Sequence, residues 1–476
     1  MSKKFILPLL CASLLGFTAC GDEESSHASN PVIPTSSGGV DPYTITSSGA
    51  APTPTPASSG SSNNVTPPPS GDYAQLSNFA NKDVPATLYA SWKAAHVTSL
   101  EADAVRYPSL AGDFSDVFKE AYRPASRVIW SAQTSGGYKQ QCTVNDVISS
   151  DVNMKARACT VSEGIGYGML LSFFAGDDDT FYTLWNYNRA FRDYNSSVLM
   201  PWIVESFTYN VVDGSSATDA DLDVATALIL MYFKSKLEPY LQDALTIINA
   251  IWTEEVEQST KLLLSGNTPM WNGKSGKDII YNLSYFSPVA LRLFAMVDQT
   301  HDWNGVLDAM YTYMAKVQAG GTGVFPDWSN AAGVAAEAPN GSSKTTYYMF
   351  NKESVRIPWR IAWDYYWFQE PRAATVLNGL YGFISPRSGN DPKNLALGTS
   401  YSWNLSVGAD KTSNVVGAYW LGAWCATGLS GNMDWLNACT AELNTKTPSN
   451  GTTSYFADIL LVMYSQMLNG LFVKPF

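Results

Sequence analysis

The chain has 476 residues, 45% of them hydrophobic, 15% charged and 13% aromatic, a composition that excludes disordered and collagen-like proteins. Thirty Lys and Arg against 42 Asp and Glu leave a formal net charge of −12, which repels a polyanion and argues against nucleic acid as a partner, while a neutral or cationic ligand fits. Only three His are present and His27 lies in a low-complexity stretch, so a His-rich metal site is disfavoured; carboxylate sites for calcium stay open, and the chemistry falls mainly to carboxylates.

In chain order, residues 1–19 read as a secretory signal: Lys3 and Lys4 give a basic start, Phe5 to Phe17 an apolar run too short to span a membrane, and Thr18-Ala19 a small-residue end. Cys20 follows directly, and the junction resembles the lipobox of bacterial lipoproteins, in which that cysteine becomes the lipidated N-terminus. Ordinary cleavage leaving a stray thiol is the alternative. Residues 20–72 form a linker of Ser, Pro, Thr and Gly, with nine prolines between Pro31 and Pro69 and almost no large apolar side chains, so it cannot bury enough surface to fold. It reads as a spacer that holds residues 73–476 away from a surface. The expected location is therefore outside the cytoplasm, with a monomer tethered to the cell envelope through its lipid.

Beyond residue 73 helical periodicity dominates. Leu222, Ala225, Leu228, Ile229 and Tyr232 recur at three- and four-residue steps, and helical patterns also fit 243–258, 286–297, 303–318, 372–381 and 454–470. Few segments alternate with period two, and the loops are long and rich in Gly, Asn and Trp, which is where a helical scaffold usually carries its site. The folded part holds four cysteines in two sequence-local pairs, Cys142/Cys159 and Cys425/Cys439; short loop closure favours those two disulfides, and a zinc site is the poorer alternative.

Three segments concentrate candidate chemistry. In Ser162-Glu163-Gly164-Ile165-Gly166-Tyr167-Gly168 a carboxylate stands among glycines that would let backbone and ligand approach. In Ala217-Thr218-Asp219-Ala220-Asp221-Leu222-Asp223 the acids, taken alone, read as N-cap and first-turn residues favoured by the helix dipole. In Glu353-Ser354-Val355-Arg356-Ile357-Pro358-Trp359-Arg360, Pro358 marks a helix start.

Together and in this order the segments resemble glycoside hydrolase family 8, the inverting endo-acting cellulases, xylanases, lichenases and chitosanases; NLSYFSP (282–288), FPDW (325–328) and the MPWIV around Trp202 resemble further family segments. The resemblance covers essentially all of 73–476 and implies an all-α (α/α)6 barrel, with about 33 residues for each helix and its loop. It places the general acid at Glu163, sugar positioning at Asp219 and sugar stacking at Trp202. The place of the family's base, usually Asp three residues before the Arg, is here Glu353. Some family members draw the base from a separate loop, where Glu337 is the alternative, whereas Asp364 lies too far along its helix to substitute. Val224, Met231 and Ser235 also depart from the family signature, at packing positions.

An inverting glycosidase needs a protonated carboxyl at the leaving oxygen and a carboxylate across the ring, with room for water between. Tyr285 is then a partner for the attacking water and Arg356 for orienting the base, each with a plainer reading as a satisfied tyrosine hydroxyl or an ordinary ion pair. Most tryptophans read as core, with Trp202, Trp328 and Trp420 as the candidates for stacking on pyranose rings. The expected activity is endo-β-1,4-glucanase on cellulose or mixed-linkage β-glucan, without cofactor or metal. Endo-xylanase is the alternative, chitosanase less so, and a surface lipoprotein that binds polysaccharide without cleaving it is the rival from another class.

Overall fold

The structure, a computed structural model, describes residues 73–476 apart from 107–116, 134–136, 143–156, 207–208, 342–343, 396–398, 407–410 and 414–417. The signal segment, Cys20 and the linker lie outside the described residues.

Six helices close an inner ring: α3 (Ser162–Ala175), α5 (Thr218–Ser235), α7 (Pro288–Val297), α9 (Ile357–Phe368), α11 (Tyr419–Ala426) and α13 (Tyr455–Leu468). Each packs on the next, and α13 returns to α3. A second ring covers them. It consists of α1 (Asp83–His96) behind α13, then α4 (Asp178–Tyr194), α6 (Glu238–Glu254), α8 (Trp303–Ala319), α10 (Pro371–Arg387) and α12 (Met433–Leu443), each packed on the inner helix that precedes it. The short α2 (Leu100–Arg106) lies outside this scheme. This is the expected (α/α)6 barrel. The sequence difference between the rings is physical: α3 buries nearly every side chain along its length, as an inner helix must, whereas α4 exposes Asp178, Asp179 and Asp193 on its outer face. Proline in the first turn of α6, α7, α9 and α10 fixes where those helices start.

Several boundaries move from the sequence reading. The pattern over 243–258 overruns α6, because the chain leaves the helix at Glu255 (φ −121°, ψ 0°) and continues into a two-residue strand at Val256–Glu257. The pattern at 372–381 stops short of α10, whose glycines dilute the helical signal. Gly379 is there for space: a Cβ on it would lie 2.5 Å from Nε2 of Gln318 on α8. The glycines after Glu163 also differ from expectation. They lie inside α3 and bring helices together, not a ligand to the backbone: a Cβ on Gly166 would stand 3.0 Å from the Ala220 carbonyl and from Asp223 Cβ, and one on Gly168 would stand 2.9 Å from Leu184.

The described strands are short. Cys159–Val161, Ile203–Glu205 and Val211–Asp213 make one antiparallel sheet, whose first strand runs straight into α3 and whose last leads to α5. Both expected disulfides are formed, Cys142–Cys159 on that first strand and Cys425–Cys439 between α11 and α12.

Candidate active site

Glu163 is the second residue of α3, Asp219 the second of α5, and Glu353 stands just before the 3-10 turn Ser354–Arg356 that opens α9. Three inner helices thus begin at one end of the barrel with a carboxylate each. Arg356 joins them. Its Nη1 donates to Glu163 Oε2 (2.5 Å) and Asp219 Oδ2 (3.0 Å), and its Nη2 donates to Glu353 Oε2. The guanidinium lies over the Tyr285 ring (5.4 Å) and faces Phe456 (5.8 Å), so it is held by aromatic surfaces as well as by charge. The width of one guanidinium therefore separates the Glu163 and Glu353 heads.

One helical turn below, Arg360 repeats the pairing. Its Nη1 and Nη2 donate to the two oxygens of Asp223 (2.7 and 2.9 Å), and Nη1 also reaches Ser287 Oγ (2.9 Å). The N-cap reading of the 219–223 acids is corrected accordingly. Ala217 is the cap residue, no side chain caps the helix, and Asp219 and Asp223 face arginines. Asp219 and Asp223 are four residues apart, as are Arg356 and Arg360, so two rungs form side by side.

Asp219 is buried and Glu163 largely so. Burial pushes the Glu163 carboxyl above the usual range; Arg356 and the Tyr455 hydroxyl oppose it, and the charges of Glu353 and Asp223 add to it. Asp219 is pushed up to about 7 by burial, against Arg356 and with the charge of Glu163. The two acids share Nη1, so their titration belongs to the pair. Both shifts favour keeping a proton on this pair towards neutral pH, which is what a general acid needs.

Further groups complete the site. Tyr455, first residue of α13, donates its hydroxyl to Glu163 Oε1 (2.8 Å), and burial followed by the Glu163 charge holds that phenol protonated. Asn282 Nδ2 donates to Glu353 Oε2 (2.8 Å). Asp327 Oδ1 accepts the backbone N–H of Asn351 (3.1 Å), Glu353 (3.2 Å) and Ser354 (3.0 Å), and the Ser354 hydroxyl (2.9 Å), so it shapes the turn that presents Glu353. Burial, then the Glu353 charge, pushes Asp327 up to about 8 against those donors. Tyr285 stays protonated through burial and the neighbouring Asp219.

The structure brings together Glu163, Asp219, Glu353, Arg356 and Tyr285. Glu337 is exposed, in the loop between the short strands Ser329–Asn330 and Met349–Phe350, and makes no contact with this cluster. Asp364 is buried elsewhere, paired with Arg292 (2.6 Å) and the Tyr311 hydroxyl (2.6 Å). Trp202 sits beside the acid, its carbonyl accepting the Ser162 N–H (2.9 Å) and its N–H donating to Ser215 (2.7 Å), with part of its ring exposed. Trp420 is fully buried, and Trp328 is buried in a stack with Trp271 (5.3 Å), so both are core and neither is open to a sugar. Besides Trp202, only Trp130 and Trp252 keep partial exposure. Among the described residues no group of three or more His, Cys, Asp and Glu side chains is arranged to hold a metal ion.

Sequence reasoning missed Tyr455, Asn282 and Asp327 as site residues. Asn282 and Asp327 lie within NLSYFSP and FPDW, which mark their neighbourhood without their roles. Nothing around Tyr455 marks it, and it reaches Glu163 across 292 positions of chain.

A model of glycosyl hydrolases family 8 matches residues 136–463. Endoglucanase C of Ruminiclostridium cellulolyticum is 34% identical over 231 residues, 47% of each chain, and Endoglucanase 2 of Ruminiclostridium josui is 30% identical over 314 residues, 64% of this chain and 62% of that one. These matches span about half to three-fifths of the relatives' own length. A beta-glucanase of Niallia circulans is 30% identical over 337 residues, covering 67% of this chain and 78% of its own. Among solved structures, a beta-1,3-1,4-glucanase from Paenibacillus sp. X4 superposes with a TM-score of 0.62 at 22% identity, covering 85% of this chain and 97% of that one. Rex8A from Paenibacillus barcinonensis, solved with xylose, gives 0.58 at 16% identity, covering 81% and 99%. At these identities the structural likeness concerns the fold.

Proposed function

This chain belongs to glycosyl hydrolases family 8, and we propose that it is an inverting endo-β-1,4-glucanase acting on cellulose or mixed-linkage β-glucan. The observation that carries the reading is the set of three carboxylates from three inner helices gathered on one buried guanidinium. The names of these relatives, two endoglucanases and a beta-glucanase, point to glucan as the substrate.

In this reading Glu163 protonates the leaving oxygen. Glu353, spaced from it by Arg356, takes the proton of a water that attacks the anomeric carbon from the opposite face. Asp219 grips the sugar undergoing cleavage, and Trp202 offers a stacking surface next to the acid. Both Glu163 oxygens accept hydrogen bonds, so donating a proton requires one to loosen. Arg356 Nη1 can do so without losing a partner, because Asp219 already shares it. Reducing-sugar release from carboxymethylcellulose, lichenan, xylan and chitosan tests the substrate: glucans first supports the proposal, xylan first makes it a xylanase, and no release from any defeats it.

We also propose that the chain is exported and held at the envelope through lipid on Cys20. The sequence of residues 1–20 supports this, as do the two disulfides, which persist in oxidising compartments. A Cys20→Ser variant released from membranes would support the anchor, and one that fractionates like the natural chain would remove it.

A further inference from the structure

Asp221 lies between the two acids that face arginines, but two residues of helix turn it to the other side of α5. There it meets Glu255, the residue that ends α6. Both side chains are buried, Asp221 3% exposed and Glu255 0%. Glu255 Oε1 accepts the Ser216 hydroxyl (2.5 Å), and Asp221 accepts the backbone N–H of Met200. That leaves Asp221 Oδ2 and Glu255 Oε2 buried and without a geometrically formed hydrogen bond, while the Thr218 hydroxyl and the Asp221 carboxyl both stand near Glu255, the two carboxyls within hydrogen-bonding reach of each other. Two carboxylates can bond only through a proton.

The surrounding charges relieve the pair only in part. On α4, Arg192 faces it, but the guanidinium is committed to both oxygens of Asp243 on α6 (2.9 and 3.0 Å) and to Asn188. Asp219 on α5 and Glu254 on α6 add negative charge. Two ionised carboxylates in contact, buried and without a free cation, are not sustained; like-charged acids in such a place keep one proton between them.

The pair also joins three stretches of chain. Met200 leads into Trp202, and Ser216 leads into Asp219. Asn267 donates its backbone N–H to Ser216 Oγ (3.2 Å) and accepts the Ser216 N–H (3.0 Å), while the Leu264 N–H donates to the Glu255 carbonyl (2.8 Å). We propose that Asp221 and Glu255 are a carboxylic acid–carboxylate pair holding one proton, and that this proton locks the segments bearing Trp202 and Asp219 together, making the two acids positioning residues for the sugar-binding wall. The lock stands on the cluster itself; its part in positioning rests on the glycosidase reading.

Burial holds Asp221 well above its ordinary range and moves Glu255 up to about 8, so the folded chain keeps a proton that the unfolded chain has released by pH 6. Stability contributed by that proton is full at acidic pH and is lost as the pH rises towards 8. Asp221→Asn supplies the same hydrogen bond from an amide that does not titrate. Thermal melts of the natural chain and of Asp221→Asn between pH 5.5 and 8.5 test the lock: the Tm of the natural chain should fall relative to the variant by several degrees across that range. Glu255→Gln should behave alike and serves if Asp221→Asn does not fold. Parallel curves would overturn the shared proton. For positioning, Asp221→Ala assayed at pH 6 on the best glucan should lose about tenfold or more in kcat/KM, and Asp221→Asn should restore most of it. An Asp221→Ala variant that is folded and fully active would refute positioning. If the natural chain cleaves no glycan the functional reading fails, whereas the melts still decide the lock.

Discussion

Arg356 serves three carboxylates while being itself only 4% exposed, and replacing it with Gln tests how the site manages its charge. Glu163, Asp219 and Glu353 are 14%, 2% and 20% exposed, so solvent would do little to screen them once the guanidinium is gone. The folded variant then holds a proton that the natural chain does not, and a carboxyl whose folded pKa rises further above its unfolded value contributes stability at low pH that disappears as pH rises. One additional proton carried over the 2.5-unit interval from pH 8 to pH 5.5, at about 1.4 kcal/mol per unit, makes the penalty of Arg356→Gln about 3 kcal/mol greater at pH 8. With an unfolding entropy of about 2.1 cal/mol/K per residue over about 400 residues, that is about 3–4 °C in Tm. The assay is a pair of melting series, natural and variant, at matched ionic strength. The gap between them should widen from pH 5.5 to pH 8, and turnover should fall by about 10²–10⁴-fold because the proposed acid and base both lose their orientation. A Tm gap independent of pH would refute the view that Arg356 neutralises these carboxylates.

Other consequences are as direct. Glu163→Gln should abolish hydrolysis while oligosaccharide binding by calorimetry stays within a few-fold, since the amide keeps the shape but carries no transferable proton; near-natural turnover would remove Glu163 from the mechanism. Proton NMR taken before mutarotation should show the α-anomer first, and an initial β-anomer would mean retention. Glu353→Ala should be inactive and recover partly with azide, with Glu337→Ala mildly affected; the opposite outcome, with both variants folded, would move the base to the loop. Gly166→Ala should cost about 1–3 kcal/mol in a denaturant melt, because the added methyl meets the Ala220 carbonyl and Asp223 Cβ at 3.0 Å; an unchanged midpoint would mean that α3 and α5 can part freely.

What could be read from the sequence divides along physical lines. An outer helix with one apolar stripe, such as α8, declares itself by period, and the ordered motifs single out Glu163, Asp219 and Glu353. Inner helices such as α3 and α11 are apolar all round and show no period, so their type is hidden. The glycines of α3 look like a loop because their purpose, close packing against other elements, lies in partners elsewhere in the chain: Tyr455 for Gly164, Ala220 for Gly166 and Leu184 for Gly168. Asp219, Asp221 and Asp223 look alike in the chain, yet they meet an arginine, a carboxyl and another arginine respectively, because helical twist sends the middle one the opposite way. Tyr455 is invisible for a similar reason, since only closure of the ring between α13 and α3 brings it to Glu163.

A Glu can stand at position 353, where the family usually has Asp, because its turn and its head are both held. The Glu353 carboxylate is fixed at both ends: Asp327 holds the backbone of its turn through Asn351, Glu353 and Ser354, and Asn282 with Arg356 hold its head. A longer side chain loses more rotamer freedom on being ordered, a cost of up to about 2 kcal/mol for Glu, which the charge-assisted bond to Arg356 offsets. Shortening it to Asp leaves the turn intact but draws the carboxylate back by one methylene from Arg356 and Asn282. Glu353→Asp should therefore fold as the natural chain does and keep part of its activity, with the loss in kcat and not in KM, because the sugar contacts proposed for Asp219 and Trp202 are untouched. A loss confined to KM would instead place Glu353 among the groups that bind the sugar and take the water's proton away from it.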